Sequence, residues 1–348
     1  MGYNGIQTSG LKDHISGTAQ EVCVIRHNLM QLEDMSACVE IIAAHPVLGP
    51  RYGPALDHLE SAWRPILRSD AFFGLVFKET APGMSRTLGA QIACFITDQF
   101  AAEIVTRPLK WIGPKLVNRV LSGPLPILTD AEVRRANSTD GLNLLVWPAC
   151  FSPEDETDVE LRQTCQALFF DLFRGFNVKR MQTQVTHPME LHMAVNSGAG
   201  YLLDTDPNYS QDLGKSEWVV MQFHMLETTR ELSSQHPGTW VHQFFAYRKP
   251  KIGLPPSEQR LLCAALQGGT DEELAKVLSI SLSAVKKMWA SVYLRVESIK
   301  PSDLKFAPNA NADGDRGREK KHKLLAYLRE HQEELRPYSI KVLNRAAP

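Results

Sequence analysis

The spacing of apolar positions divides the chain into a mixed front part and a helical end. Glu21–Arg26 alternates apolar and polar side chains, which predicts a strand with one buried face. Leu32, Met35, Cys38, Val39 and Ile42 recur at helical spacing and predict a helix over Leu32–Ala43, with a second amphipathic helix over Ala55–Leu67. Phe72–Phe77 and Leu88–Ile96 predict neighbouring strands joined by a loop that contains Ala81, Pro82 and Gly83. Helical stretches at Leu116–Leu121 and Asp130–Arg135 precede a strand at Leu142–Trp147. Thr157 is placed to cap a long helix, Asp158–Arg174. A strand at Val178–Val185, a helix at His187–Asn196 with Pro188 in its first turn, and strands at Gly200–Leu203 and Trp218–Leu226 complete the pattern.

Basic residues, Pro and Gly gather between Arg248 and Pro256, as in a linker. Beyond it, Pro256 and Ser257 open a helix with the stripe Leu261, Leu262, Ala265 and Leu266, and Gly268 and Gly269 stop it. Thr270, with Glu273 three residues on, forms a capping box for a second helix striped by Leu274, Ala275 and Leu278. Ser279–Ser281 is a turn, Ile280 fills the space between the helices, and Ser281 or Ser283 caps a third helix. Val285, Met288, Trp289 and Val292 mark the core side of that third helix. A loop at Pro301–Gly317 then leads to a tail helix whose stripe is Leu324, Leu325, Leu328 and Leu335.

Composition adds an asymmetry. The 348 residues are 43% hydrophobic and 22% charged, with a formal net charge of −1, which fits a globular chain of about two domains. Residues 251–348 hold 17 Lys and Arg against 12 Asp and Glu, whereas the preceding 250 are acidic. A basic end behind an acidic body suits a nucleic-acid-binding module. No apolar run reaches the length of a membrane span, and Met1–Gly5 does not open a secretory signal. The cysteines (Cys23, Cys38, Cys94, Cys150, Cys165 and Cys263) are scattered without metal-ligand spacing, so they read as reduced thiols of a cytoplasmic protein, and no metal site is expected.

The order of elements resembles the Gcn5-related N-acetyltransferase (GNAT) fold. The likeness lies in VIRHNLMQLEDMSACVEII at Val24–Ile42 and ELHMAVNSGAGYLLDT at Glu190–Thr205, and covers residues 20–230 with an insertion at 98–140. The resemblance implies a coenzyme A pyrophosphate loop between the fourth strand and the next helix, where backbone N–H groups and the helix dipole meet the phosphates. The corresponding stretch, Phe151–Asp158, departs from the family's glycine-bearing pattern. It carries Glu154, Asp155, Glu156 and Asp158, and Pro153 removes a donor. The family's tyrosine acid falls near Asn196, which cannot titrate usefully. The expectation is a GNAT-like fold with no catalytic residues and no cofactor.

Leu254–Val296 resembles the LuxR/FixJ-type helix-turn-helix. The matches are Leu254, Pro256, Glu258, Gly268, Glu273-Leu274-Ala275, Leu278, Ile280-Ser281 and Val285-Lys286, in register without a gap. Ala284 replaces a common Thr, and the family's fourth helix is not evident after Val296. The resemblance implies that the third helix enters the major groove. The expected DNA contacts are Thr270, Ser281, Ser283, Lys286 and Lys287, with an accessory basic patch of Arg316, Arg318, Lys320, Lys321 and Lys323.

The predicted architecture is therefore an α+β GNAT-like sensory domain over 1–248, an all-α helix-turn-helix domain over 249–300, and a loop with a basic tail helix over 301–348. The leading reading is a DNA-binding transcriptional regulator, cytoplasmic and homodimeric. Double-stranded DNA is its expected partner; RNA polymerase and a small-molecule effector stay open. The alternative is an acyl-CoA-dependent N-acetyltransferase with an accessory DNA-binding domain. The mixed front part argues against a sigma factor. Leu67 in place of a tyrosine four residues after Trp63 argues against an acyl-homoserine-lactone receptor.

Overall fold

The computed structural model describes residues 24–81, 84–106, 111–147, 149–185, 196, 201–204, 224–299 and 316–339. The chain divides into two compact units: Met1–Val133 with Gly141–Leu172 and Val178–Phe245, and Arg134–Asp140 with Phe173–Asn177 and Ala246–Pro348.

Seven strands of the first unit make one mixed sheet. They are β1 (Val24–Leu29), β2 (Phe72–Ala81), β3 (Met84–Ile96), β4 (Leu142–Val146), β6 (Val178–Val185), β7 (Tyr201–Asp204) and β8 (His224–Thr229). Their lateral order is β1-β2-β3-β4-β6-β8-β7, and a two-residue β5 (Cys150–Phe151) pairs with β3 off that path. Neighbours run antiparallel except β4 and β6, which are parallel. Successive residues of a strand face opposite sides, and this sets the layers. Ala90 and Ile92 of β3 lie with Ile42 of α1 (Met35–Ala44), whereas Gln91 accepts a hydrogen bond from Cys165 Sγ of α7 (Val159–Phe173) at 3.0 Å. Helices thus flank both faces of a mixed sheet, an α+β arrangement as expected. Trp63, Phe77, Phe95, Phe151, Leu59 and Leu116 are among the largest fully buried side chains.

Several local expectations change. The helix expected over Ala55–Leu67 is a 3-10 segment, Gly53–His58, followed by α3 (Leu59–Trp63). Pro54 sits at the start of the first and Pro65 follows the second, and proline cannot donate within a helix. The insertion between β3 and β4 holds three helices, α4 (Asp98–Glu103), α5 (Ile112–Ser122) and α6 (Asp130–Ser138). Two short helices after the last strand, α8 (Arg230–Ser234) and α9 (Trp240–Phe245), were not signalled by periodicity, which needs a longer window. The helix expected at His187–Asn196 lies outside the described residues except for Asn196, which is exposed. Also outside them are Glu21–Cys23, Gly200, residues 218–223 and most of the Pro301–Gly317 loop.

The second unit gathers α10 (Pro256–Leu266), α11 (Asp271–Leu278), α12 (Leu282–Glu297) and α13 (Arg316–Glu330). The four share one core, in which Leu261, Leu262 and Ala265 meet Leu274, Val285, Trp289, Val292 and Val296. Leu324, Tyr327, Leu328 and Leu335 complete it from the tail. Thr270 caps α11: its Oγ1 accepts from Glu273 N at 3.3 Å while its own N–H donates to Glu273 Oε2 at 2.7 Å. The helix ends in a Schellman turn, with Ile280 N donating to Ala275 O at 3.0 Å and Ser279 N to Lys276 O at 3.1 Å. Ser279 takes φ 54° and ψ 45° there, a left-handed conformation that suits glycine. Of the two candidate serines, Ser281 caps α12, accepting from Ala284 N at 3.2 Å.

Two buried glutamates fasten this unit. Glu258 of α10 accepts from Ser291 Oγ at 2.7 Å and Arg295 Nε at 3.1 Å, so the first helix holds the third. Glu334 is fully buried and accepts from the N–H groups of Lys251 (2.7 Å) and Ile252 (3.0 Å), joining the linker to the tail. Asn137 belongs to the same unit, donating to Pro337 O at 2.7 Å and accepting from Asn177 N at 2.7 Å.

Burial lifts the Glu334 carboxyl to about 7, against the opposing pull of the Lys251 and Ile252 N–H groups. A folded-state value above the unfolded one gives stability that is complete below the ordinary carboxylate range and is lost as pH rises through about 7. Denaturation midpoints of the second unit are therefore expected to fall between pH 5 and pH 8 by more in the wild type than in Glu334→Gln. Equal pH dependence would contradict this. Ser279→Gly should stabilise the unit by about 0.5–1 kcal/mol, because relief of the left-handed strain outweighs the added unfolded-chain entropy. A lowered unfolding midpoint would show that the turn is not left-handed.

Candidate functional site

Two places were marked by sequence: the loop after the fourth strand of the sheet and the third helix of the C-terminal unit. The first begins where β4 and β6 part. Their parallel pairing ends at Val146 and Thr183, after which the chain of β4 turns through Trp147 to β5 on β3. Gly89 permits that approach, since a Cβ there would lie 2.3 Å from the Phe151 ring. Beyond the parting point, Gln184 of β6 accepts from Ile112 N at 2.8 Å, so the start of α5 is held at this end of the sheet. Gly113 in α5 lies so close to Tyr52 that a Cβ would come within 2.5 Å of its hydroxyl. Among the described residues, Tyr52, Trp111, Trp147 and Cys150 help to line a cavity of about 10 Å³. That is room for no more than one water.

The loop Ser152–Asp158 contains four carboxylates. Arg86 of β3 pairs with Asp155 at 2.9 Å, Glu154 at 3.1 Å and Glu79 at 3.2 Å. Arg162 pairs with Glu156, and Ser152 Oγ donates to Asp155. Asp158, rather than the expected Thr157, caps α7 by accepting from Leu161 N at 3.0 Å. A carboxylate at the N-cap satisfies both the free N–H and the helix dipole. The positions that a pyrophosphate would use are thus taken by the protein's own anions, and both nearby arginines are already paired. These residues do not fit the coenzyme A diphosphate.

The second place is the N-terminal half of α12. Val285, Trp289, Val292 and Val296 are buried, while Ser283, Lys286 and Lys287 are exposed. Neither lysine has a hydrogen-bond or ion-pair partner among the described residues. Thr270 and Ser281 are also exposed, each with its hydroxyl oxygen engaged in a helix cap. The acidic first turn of α11, Asp271 to Glu273, sits where the helix dipole favours it.

The lysines expected as an accessory patch are engaged within the unit. Lys320 pairs with Glu297 at 2.9 Å, Lys321 with Asp271 at 3.1 Å, and Lys323 with Glu319 at 2.5 Å. Lys321 also lies over the Trp289 ring, 4.8 Å from its centroid. For Lys320 and Lys321 the cause is the packing of Leu324 and Leu328, which turns the flanking positions toward neighbouring helices, whereas Lys323 pairs one turn back on its own helix. Arg316 and Arg318 belong to the first turn of α13. Sequence reading missed Glu334 and the pairing of Lys321, because Glu333-Glu334 and Lys320-Lys321 look like solvated charge pairs.

No family model matches the chain, and neither does any curated protein. Solved structures show a likeness of outline. A spermidine N-acetyltransferase SpeG F149A mutant from Vibrio cholerae is 8% identical over 58% of this chain and 94% of its own, with a TM-score of 0.34. A protein assigned to the GNAT acetyltransferases from Desulfovibrio desulfuricans is 7% identical over 60% and 99%, TM-score 0.34. The C-terminal condensation domain of Ebony, in complex with beta-alanyl-dopamine, is 13% identical over 60% and 100%, TM-score 0.35. These values say nothing of a shared activity. Among the described residues, no helix is long and apolar enough to cross a membrane.

Titration of the full chain with coenzyme A by calorimetry is expected to give no saturable heat up to millimolar ligand. Saturable binding that weakens on addition of inorganic pyrophosphate would overturn the reading of the Ser152–Asp158 loop.

Proposed function

We propose that this protein is a DNA-binding transcriptional regulator. In this reading residues 249–300 form a LuxR-type helix-turn-helix, and residues 1–248 are a catalytically degenerate GNAT-like unit used for ligand sensing or assembly. One observation carries it: α12 buries one face completely and leaves Ser283, Lys286 and Lys287 exposed near its N-terminus, with no partner for either lysine among the described residues. Holding two cations without counter-charges near the N-terminus of one helix suits a polyanion.

The mechanism follows from that placement. The N-terminal half of α12 enters the major groove, and its first N–H groups, with the helix dipole, favour a phosphate. Lys286 and Lys287 donate to phosphate or to guanine O6 and N7. Ser283 adds a hydroxyl donor; Ser281 and Thr270 act mainly as caps that fix where α12 and α11 begin. A homodimer on a two-fold site, with RNA polymerase and a small effector as further partners, belongs to the same proposal. The acyl-transfer alternative lacks support in Phe151–Asp158.

The test is a salt titration of duplex binding by the full chain, followed by fluorescence anisotropy. Lys286→Ala and Lys287→Ala should each cost about 1–3 kcal/mol if the lysine reads a base. A phosphate contact would instead lower the slope of log K against log salt by about one. Wild-type protein that does not bind duplexes at low ionic strength, or two lysine variants that bind like the wild type, would end this reading.

A further inference from the structure

We infer that Lys321 is a positioning residue that clasps α11 and α12 together through the tail helix, and not a DNA contact. The inference rests on the DNA-binding reading only for its consequence at the duplex; the clasp itself stands on geometry. The Lys321 ammonium lies 4.8 Å from the centroid of the Trp289 ring and 3.1 Å from Asp271 Oδ1. Trp289 is in the middle of α12, Asp271 is the first residue of α11, and Lys321 comes from α13. One cation from α13 therefore contacts two other helices.

The chemistry suits that place. An ammonium over an indole face is attracted by the ring's negative quadrupole, more strongly where water is partly excluded. Trp289 is buried at 5% exposure and stacks on Tyr293 at 5.7 Å, so its ring presents a fixed platform. The Lys321 and Asp271 side chains are 28% and 30% exposed, which leaves both partly desolvated. Asp271 also sits at the positive end of the α11 dipole, where a negative charge is favoured. Leu324 and Leu328, three and seven residues on, anchor the same face of α13 in the core. Lys320 adds a parallel tie to Glu297 at the far end of α12. With Lys321 removed, α12 keeps the inward face that its buried stripe fixes but loses the contact that trims its rotation against α11 within that limit. The orientation of the Ser283–Lys287 surface depends on that rotation.

The test uses the full chain labelled with 5-fluorotryptophan, with Trp289→Phe identifying the relevant fluorine resonance. Lys321→Ala should move the Trp289 signal and leave those of Trp63, Trp111, Trp147 and Trp240 in place. Lys321→Arg, which keeps a cation over the ring, should restore it. On duplex DNA, Lys321→Ala should weaken binding about fivefold, the size of a lost cation–π contact, with the salt slope unchanged. Lys321→Arg should bind within about twofold of the wild type. An unmoved Trp289 signal in Lys321→Ala overturns the clasp. A salt slope reduced by about one shows a phosphate contact and also overturns it. A wild type that binds no duplex, together with a shifted Trp289 signal, supports the clasp and removes the DNA-binding reading instead.

Discussion

A helix of sixteen residues has more surface than one small core can cover, and the C-terminal unit is organised around how α12 divides that surface. Val285, Trp289, Val292 and Val296 are buried to within 5% exposure. Burying side chains of this size stabilises by roughly 1.5–3 kcal/mol each, so the apolar stripe sets which face of the helix turns inward. Lys287 is then exposed on the side opposite the stripe, and Lys286, about 90° from the stripe's centre, is exposed on its flank. The remaining fastenings of the unit hold this division in place. Glu258 ties α10 to Ser291 and Arg295, the left-handed Ser279 aims the turn before α12, and the tail closes the core from below with Leu324, Tyr327 and Leu328.

In the N-terminal unit the same electrostatic rules lead to self-satisfaction. A helix N-terminus attracts an anion, and at α7 that anion is the side chain of Asp158. The arginines of the neighbourhood, Arg86 and Arg162, are paired with Asp155, Glu154, Glu79 and Glu156. Close packing has a parallel effect at the parting of β4 and β6. Gly89 and Gly113 let backbone and ring approach within distances no side chain would allow, and Trp111 and Trp147 line the small cavity beside them. A mixed sheet is thus combined, among the described residues, with a loop whose charges do not suit a diphosphate.

The sequence was most informative where a local rule has one solution. Thr270 and Glu273 marked a capping box that forms with both hydrogen bonds present. Gly268 and Gly269 marked the end of α10, and both adopt positive φ. The β2 and β3 strands were visible because Phe72–Phe77 is buried on both faces. Less was visible where elements are short. The pair Cys150–Phe151 is a strand only because β3 lies beside it, and α8 and α9 are too brief to show a period. The cap of α7 was assigned to Thr157, one residue early, because Thr157 and Asp158 are both good caps and only the path of the chain chooses between them.

By itself, the sequence determined the sheet-and-helix character of the front part, the helices and caps of the C-terminal part, and the side of α12 that carries Lys286 and Lys287. These depend on periodicity, propensity and capping, which act within about seven residues. Only the tertiary structure decided which charges stay free. The lysines at 320, 321 and 323 read like the pair at 286 and 287, yet Glu297, Asp271, Trp289 and Glu319 take them up. Glu334 likewise becomes a buried acceptor for the linker. An ion pair depends on distance in space, and for most of these partners that distance is set by how helices far apart in the chain pack on one core.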